Sequence, residues 1–178
     1  MSAPAVFFDR DGTLMEEVYY CGDPAHVRVY TGVSEGLRRL KAAGFRTFIV
    51  SNQSGIGRGL ISEAQYRAVE KELMAQIGEG LIDASYFCPD ASGTASTRRK
   101  PEPGMLFEAA AEFDVDLAAS YMIGDKAADV ECGRRAGVKT ILVLTGYGAE
   151  QDCAPDYRVR DVAEAIGAVL EKKFTTEL

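Results

Sequence analysis

Five short apolar runs and a shorter sixth, each followed by a stretch of helical periodicity, constrain this chain more than anything else in it. The runs are Ala5–Phe8, residues 45–50, Ala84–Cys88, residues 121–123, residues 140–144 and the short Tyr157–Val159. Helices are predicted between and after them, over residues 34–43, 62–77, Gly104–Phe113, Ala127–Ala136 and 162–172. Within 34–43, Leu37, Leu40 and Ala43 recur at helical spacing and stop at Gly44, a natural C-cap. Ser62 is placed to cap the next helix, which carries Val69, Leu73 and Ile77 on one face. Strands alternating with helices encode a parallel sheet, because each strand needs a crossover that returns the chain to the same end. The expected fold is therefore a three-layer α/β sandwich with a parallel sheet of five or six strands. Two stretches break the alternation. Residues 15–30 have room for a small hairpin flap, and residues 89–103 read as loop. Neither is long enough for a separate cap, so a single domain over residues 1–178 is expected.

Composition narrows the partners. The net charge of −7 disfavours nucleic acid and anionic membranes. No apolar run approaches the ~20 residues of a membrane span. The first eight residues are too short for a signal peptide, so a cytoplasmic protein that acts as a monomer on small molecules is expected. Six basic residues nevertheless cluster near the strand ends in sequence: Arg10, Arg58, Arg98, Arg99, Lys100 and Lys126. A locally basic site in an acidic protein suits a small phosphorylated metabolite. The cysteines at 21, 88, 132 and 153 form no C-x-x-C pair, and His26 is the one histidine, so zinc is not expected from spacing.

In parallel α/β sheets, ligands gather beyond the carboxyl ends of the strands. Here the first run ends in Asp9-Arg10-Asp11-Gly12-Thr13. Two carboxylates two residues apart repel one another, and a divalent cation relieves that repulsion. Magnesium suits oxygen ligands and phosphate oxygens. The second run ends in Ser51-Asn52-Gln53-Ser54-Gly55, which offers a hydroxyl and loop amides to phosphoryl oxygens. Arg98-Arg99-Lys100-Pro101 supplies a lysine able to neutralise developing charge. Gly124-Asp125-Lys126, followed by Asp129, brings a third carboxylate to the metal. Singly, each has an ordinary reading: a turn serine, a solvated lysine, an aspartate capping a helix. Acid, hydroxyl, lysine and acid occurring in order at strand ends are hard to obtain that way.

Together these motifs resemble the haloacid dehalogenase (HAD) superfamily over essentially the whole chain, and the aspartate at position 11 resembles its phosphatase branch. FFDRDGT, SNQSGIGRG, RKPEPGM and SYMIGDK are similar to the capless heptose-bisphosphate and histidinol-phosphate phosphatases. The resemblance implies a Rossmann-like fold, with Asp9 as nucleophile and Asp11 as acid/base. It implies Ser51 and Lys100 on the phosphoryl group, and magnesium held by Asp9, Asp11 and Asp125. Arg10, Asn52, Gln53, Ser54, Arg99 and Lys126 match substrate-site positions. These relatives hold zinc through C-x-H and C-x-C in the loop before Arg-Lys-Pro. Here Cys88 remains, while Asp90, Ser96 and Arg98 stand at the other three places, so no structural zinc is expected.

The activity so implied is magnesium-dependent hydrolysis of a phosphomonoester through a phospho-aspartate, on a sugar bisphosphate such as the heptose compound, with histidinol phosphate or another small metabolite as alternatives. A phospho-accepting receiver domain uses similar groups, but its acceptor follows the third strand, where Tyr86-Phe87-Cys88 offers none. A non-catalytic binding module is disfavoured because every catalytic position is filled.

Overall fold

The computed structural model describes residues 2–171. Six strands form one parallel sheet: β1 (Ala5–Phe8), β2 (Arg46–Asn52), β3 (Ala84–Cys88), β4 (Tyr121–Gly124), β5 (Lys139–Val143) and β6 (Tyr157–Val159). Their order is β3-β2-β1-β4-β5-β6. The helices are α1 (Val33–Ala42), the single turn α2 (Ser54–Gly57), α3 (Glu63–Ile77), α4 (Gly104–Phe113), α5 (Ala127–Ala136) and α6 (Val162–Leu170).

The pleat of each strand explains the two cores. Alternate residues face opposite sides, so Val6 and Phe8 of β1 point one way, joined by Ile49, Ile123, Ile141 and Val143. Against them pack Leu37 and Leu40 of α1, Val69 and Leu73 of α3, and Ile166 and Val169 of α6. Ala5, Phe7, Phe48, Val50 and Met122 point the other way, onto Met105, Leu106 and Ala109 of α4 and Cys132 and Ala136 of α5. Both faces are covered, which is the three-layer sandwich expected. Burying each large apolar side chain contributes about 1.5–3 kcal/mol.

Local chemistry sets several boundaries. Ser62 caps α3 by accepting from the Gln65 N–H (3.1 Å), while Gln65 Oε1 accepts from the Ser62 N–H (2.8 Å). Strand β2 runs two residues further than its apolar run, because Ser51 and Asn52 still pair with Phe87 and Cys88 of β3. Residues 15–30 do not form a regular hairpin. Only the base of the loop is paired, Glu16 N–H to the Arg28 carbonyl (2.9 Å) and Tyr30 N–H to the Leu14 carbonyl (3.0 Å). The predicted helix 162–172 stops at Leu170, and Lys172 lies outside the described residues.

Strand β1 has β2 on one side and β4 on the other. The chain leaves β1 toward α1 and leaves β4 toward α5, on opposite faces of the sheet. A crevice opens at the carboxyl ends of these two strands.

Candidate active site

Asp9 follows β1, and its N–H donates to the Ile123 carbonyl of β4 (2.9 Å). The side chain thus begins at the mouth of the crevice. Its Oδ1 accepts from Lys100 Nζ (2.9 Å). The same ammonium donates to the Val50 carbonyl (2.7 Å) and lies 2.7 Å from Asp129 Oδ1. Asp9, Lys100 and Asp129 are all buried. Burial alone would raise the Asp9 pKa, but Lys100 and Lys126 outweigh it and hold the carboxyl below its usual range. Burial would also neutralise Lys100, yet Asp129 and Asp9 keep its ammonium charged far above neutrality.

Asp125 follows β4 and is completely enclosed. Its Oδ2 accepts from the Tyr147 N–H (2.9 Å), whereas its buried Oδ1 has no hydrogen-bond partner. Burial, then the charges of Asp9 and Asp129, push its pKa up to about 8. Carboxylate oxygens of Asp9, Asp125 and Asp129 lie within 4.8 Å of one another. Three acids this close, one with an orphaned oxygen, are what a hard divalent cation would relieve, and an oxygen-only donor set fits magnesium. Gly12 makes room for this: it has φ +80°, and a Cβ there would collide with the Asp125 carboxylate. Gly124 does the same for the Asp129 carboxylate.

Asp11 does not join the acidic cluster. Its carboxylate turns onto Arg10, which donates from Nε to Oδ2 (3.0 Å) and from Nη2 to Oδ1 (3.2 Å). Gln53 Nε2 donates to Asp11 Oδ2 (3.0 Å) and to Ser51 Oγ (2.7 Å), tying hydroxyl and acid together. Arg10 departs from its expected substrate-facing place. Its side chain has no solvent exposure, and its guanidinium is occupied by Asp11 and Glu70. Asn52 lies at the site, but its amide is engaged with the backbone of Lys100.

A cleft of about 220 Å³ adjoins these groups, lined by Asp11, Glu17, Tyr20, Gln53, Ser54 and Lys126 among others. A depression of about 40 Å³, floored by Asp9, Lys100 and Asp129, lies beside it and shares Asp11, Asn52 and Lys126. Lys126 Nζ is 3.6 Å from Glu17 Oε2 and 5.1 Å from the centre of the Tyr147 ring. Burial acts against its charge, but Asp9, Asp125 and Glu17 raise its pKa. Arg99 sits apart, on an open groove formed by residues of the 90–102 loop, and its Nη1 donates to the Asp90 carbonyl (2.8 Å). From the end of β3, Cys88 Sγ reaches this loop, donating to Asp90 Oδ2 (3.3 Å) and lying 3.6 Å from Ser96 Oγ. Ser96 Oγ accepts from the N–H groups of Arg98 (3.3 Å) and Arg99 (3.2 Å).

Sequence reasoning left the role of Asp129 open and passed over Tyr147, Glu17 and Glu70. For Tyr147 a signal exists: Gly146 and Gly148 flank it just after β5, marking a backbone that must come close to something.

A buried aspartate at the switch point of a parallel sheet, paired with lysine beside an acidic cluster, defines a hydrolase of the HAD type. The HAD-hydrolase-like family model matches residues 97–167. The chain is 39% identical to the D-glycero-D-manno-heptose-1,7-bisphosphate 7-phosphatase of Thermosynechococcus vestitus, over 93% of this chain and 95% of the relative. It is 34% identical to the D-glycero-beta-D-manno-heptose-1,7-bisphosphate 7-phosphatase of Escherichia coli K12, over 97% and 96%. The crystal structure of D,D-heptose 1,7-bisphosphate phosphatase from B. bronchiseptica, complexed with magnesium and phosphate, superposes with a TM-score of 0.87 at 28% identity, covering 95% of this chain and 99% of that one. The chain belongs to this family of HAD phosphatases.

Proposed function

We propose that the chain hydrolyses the 7-phosphate of D-glycero-D-manno-heptose 1,7-bisphosphate, with magnesium, through a phospho-aspartate on Asp9. The observation that carries the mechanism is Asp9 itself: a buried, ionised carboxylate at the crevice, hydrogen-bonded by Lys100 and within 4.8 Å of a carboxylate oxygen of Asp125, whose Oδ1 has no hydrogen-bond partner. The substrate is carried by the likeness to the two heptose-bisphosphate phosphatases above.

In the first step Asp9 attacks phosphorus, the bond to the leaving oxygen breaks, and Asp11 gives that oxygen its proton. In the second, water attacks the phospho-aspartate and passes a proton to Asp11. The acyl phosphate bond breaks, releasing inorganic phosphate and restoring Asp9. Lys100 and the Ser51 hydroxyl hold charge that develops on the phosphoryl oxygens. Asp9 and Asp125 would hold the magnesium ion, whose charge, when bound, offsets that of the acids and of the phosphoryl group. Gln53, Ser54 and Lys126 line the cleft where the sugar would lie. The enzyme works as a single domain over residues 1–178, as a cytoplasmic monomer.

The test is hydrolysis of heptose 1,7-bisphosphate with magnesium, followed by phosphorus NMR to identify the phosphate lost. Loss of the 7-phosphate supports the proposal. Preference for histidinol phosphate in the same assay would replace the substrate, and silence on every phosphomonoester would remove the mechanism.

A further inference from the structure

We propose that Arg10 is the positioning residue of Asp11: buried away from substrate, it fixes the orientation of the acid/base carboxylate. This rests on the reading of Asp11 as acid/base given above. Arg10 is among the largest fully buried side chains of the protein. A buried guanidinium is costly unless its donors and charge are matched. Here the match is built from three side chains. Nε and Nη2 address the two oxygens of Asp11 as a fork. Nη1 faces Glu70 Oε2 of α3 (3.5 Å). The guanidinium carbon lies 5.2 Å from the centre of the Tyr66 ring, one helical turn earlier on α3. Glu70 is fixed in turn, because its Oε1 accepts from the Ser85 hydroxyl of β3. The line Ser85–Glu70–Arg10–Asp11 therefore connects the sheet edge to the acid/base from behind, on the side away from the cleft.

Stability alone does not call for this arrangement. Buried ion pairs are often replaced by apolar side chains of similar size with no loss of stability. The geometry bears on Asp11 instead. Its side chain is 14% exposed, both oxygens are oriented by one planar fork, and Gln53 adds a donor to Oδ2. Lysine in place of Arg10 would keep the charge and lose the fork.

The experiment compares kcat/KM for phenyl phosphate and p-nitrophenyl phosphate, in wild type, Arg10→Lys, Glu70→Gln and Asp11→Asn. Phenolate is the poorer leaving group and needs the proton more. Displacing the acid should therefore cost phenyl phosphate about tenfold or more in Arg10→Lys, and p-nitrophenyl phosphate about threefold or less, with KM little changed. Glu70→Gln, a milder change outside the cleft, should tilt the ratio the same way and carries the test if Arg10→Lys fails to fold. Equal losses on both esters, with a lower Tm, would make Arg10 merely structural and overturn the proposal. A loss confined to KM would place it on the substrate and overturn it too. Asp11→Asn separates the two readings. If it discriminates between the esters and the Arg10 and Glu70 variants do not, positioning alone is wrong. If Asp11→Asn does not discriminate, the acid/base reading falls and positioning falls with it.

Discussion

Asn52 grips the backbone of Lys100 with both ends of its amide: Nδ2 donates to the Lys100 carbonyl (3.0 Å), and Oδ1 accepts from the Lys100 N–H (2.9 Å). The end of β2 is thereby fastened to the loop that carries the lysine. Asn52→Leu, of similar size, removes both bonds, each contributing about 0.5–1.5 kcal/mol. We expect kcat to fall about tenfold with a smaller change in KM, measured by steady-state kinetics. An unchanged kcat would show that Lys100 is held well enough by Val50 and Asp129.

Asp9→Asn keeps the shape of the nucleophile and removes its chemistry, so turnover should vanish while the fold survives. Asp11→Asn should cost roughly 10²–10⁴ in rate, since protonation of the leaving group and activation of water both fail. Retention of a tenth of wild-type kcat by purified Asp9→Asn would exclude it as nucleophile.

Asp125→Ala should raise the magnesium concentration needed for half-maximal activity and lower the maximum. A chelator should silence the wild type, and magnesium should restore it. The grounds are the orphaned Asp125 Oδ1 and its place against Asp9 and Asp129. A magnesium titration identical in mutant and wild type would reduce Asp125 to a partner of the Tyr147 N–H.

How much of this is legible in sequence depends on what kind of fact is wanted. Asp9, Ser51, Lys100 and Asp125 stand out because strand ends in a parallel sheet are where ligands bind, and each is the right group at such an end or its loop. The sheet and both helical layers follow from alternation in the same way. The contacts that fix these groups are different. Asn52 and Lys100 are 48 positions apart, Arg10 and Glu70 60, Asp125 and Tyr147 22. Periodicity says nothing about pairs so distant. Arg10 is the instructive failure. A basic residue between two acids suggests a phosphate ligand, but only the turn after β1 decides which side chain faces the cleft and which faces α3.

Arg99→Ala should distinguish substrates. Arg99 lies on the open groove of the 90–102 loop, outside the Asp9–Lys100–Asp129 cluster, and its fork suits a second phosphate. Loss of such a contact costs about 1.5–3 kcal/mol, or roughly ten- to a hundredfold in kcat/KM on a sugar bisphosphate. p-Nitrophenyl phosphate, with one phosphate, should change far less. Equal losses would move Arg99 to the reacting centre, and no loss on a bisphosphate would leave it solvated.

Asp83 offers a pH signature remote from the chemistry. It sits at the opposite end of the sheet, accepting from Lys41 Nζ (2.6 Å), Arg46 Nη1 (3.1 Å) and the Thr47 N–H (2.8 Å). Burial would raise its pKa, but these partners outweigh it and hold the carboxyl below its ordinary range. A depressed folded-state pKa means that the stabilisation is complete above the unfolded value, ~4, and is lost as pH falls through the folded one. Asp83→Asn should thus be less stable than wild type by about 1.5–3 kcal/mol near neutrality. The gap should narrow below pH ~4, and kcat/KM should be unaffected. Denaturant melts at several pH values check this, and a pH-independent gap would refute it.

Lys100 lies between two acids, Asp9 and Asp129, at 2.9 and 2.7 Å. In a double-displacement cycle the nucleophile surrenders its anionic oxygen when the acyl phosphate forms and regains it on hydrolysis. In the proposed cycle Lys100 would exchange the Asp9 oxygen for the charged phosphoryl oxygens as one of its two counterions. Asp129, buried on the other side of the ammonium, takes no part in that exchange. The proposed two-step reaction would thus change one neighbour of the lysine and leave the other where it is, giving the ammonium a fixed point about which the chemistry alternates.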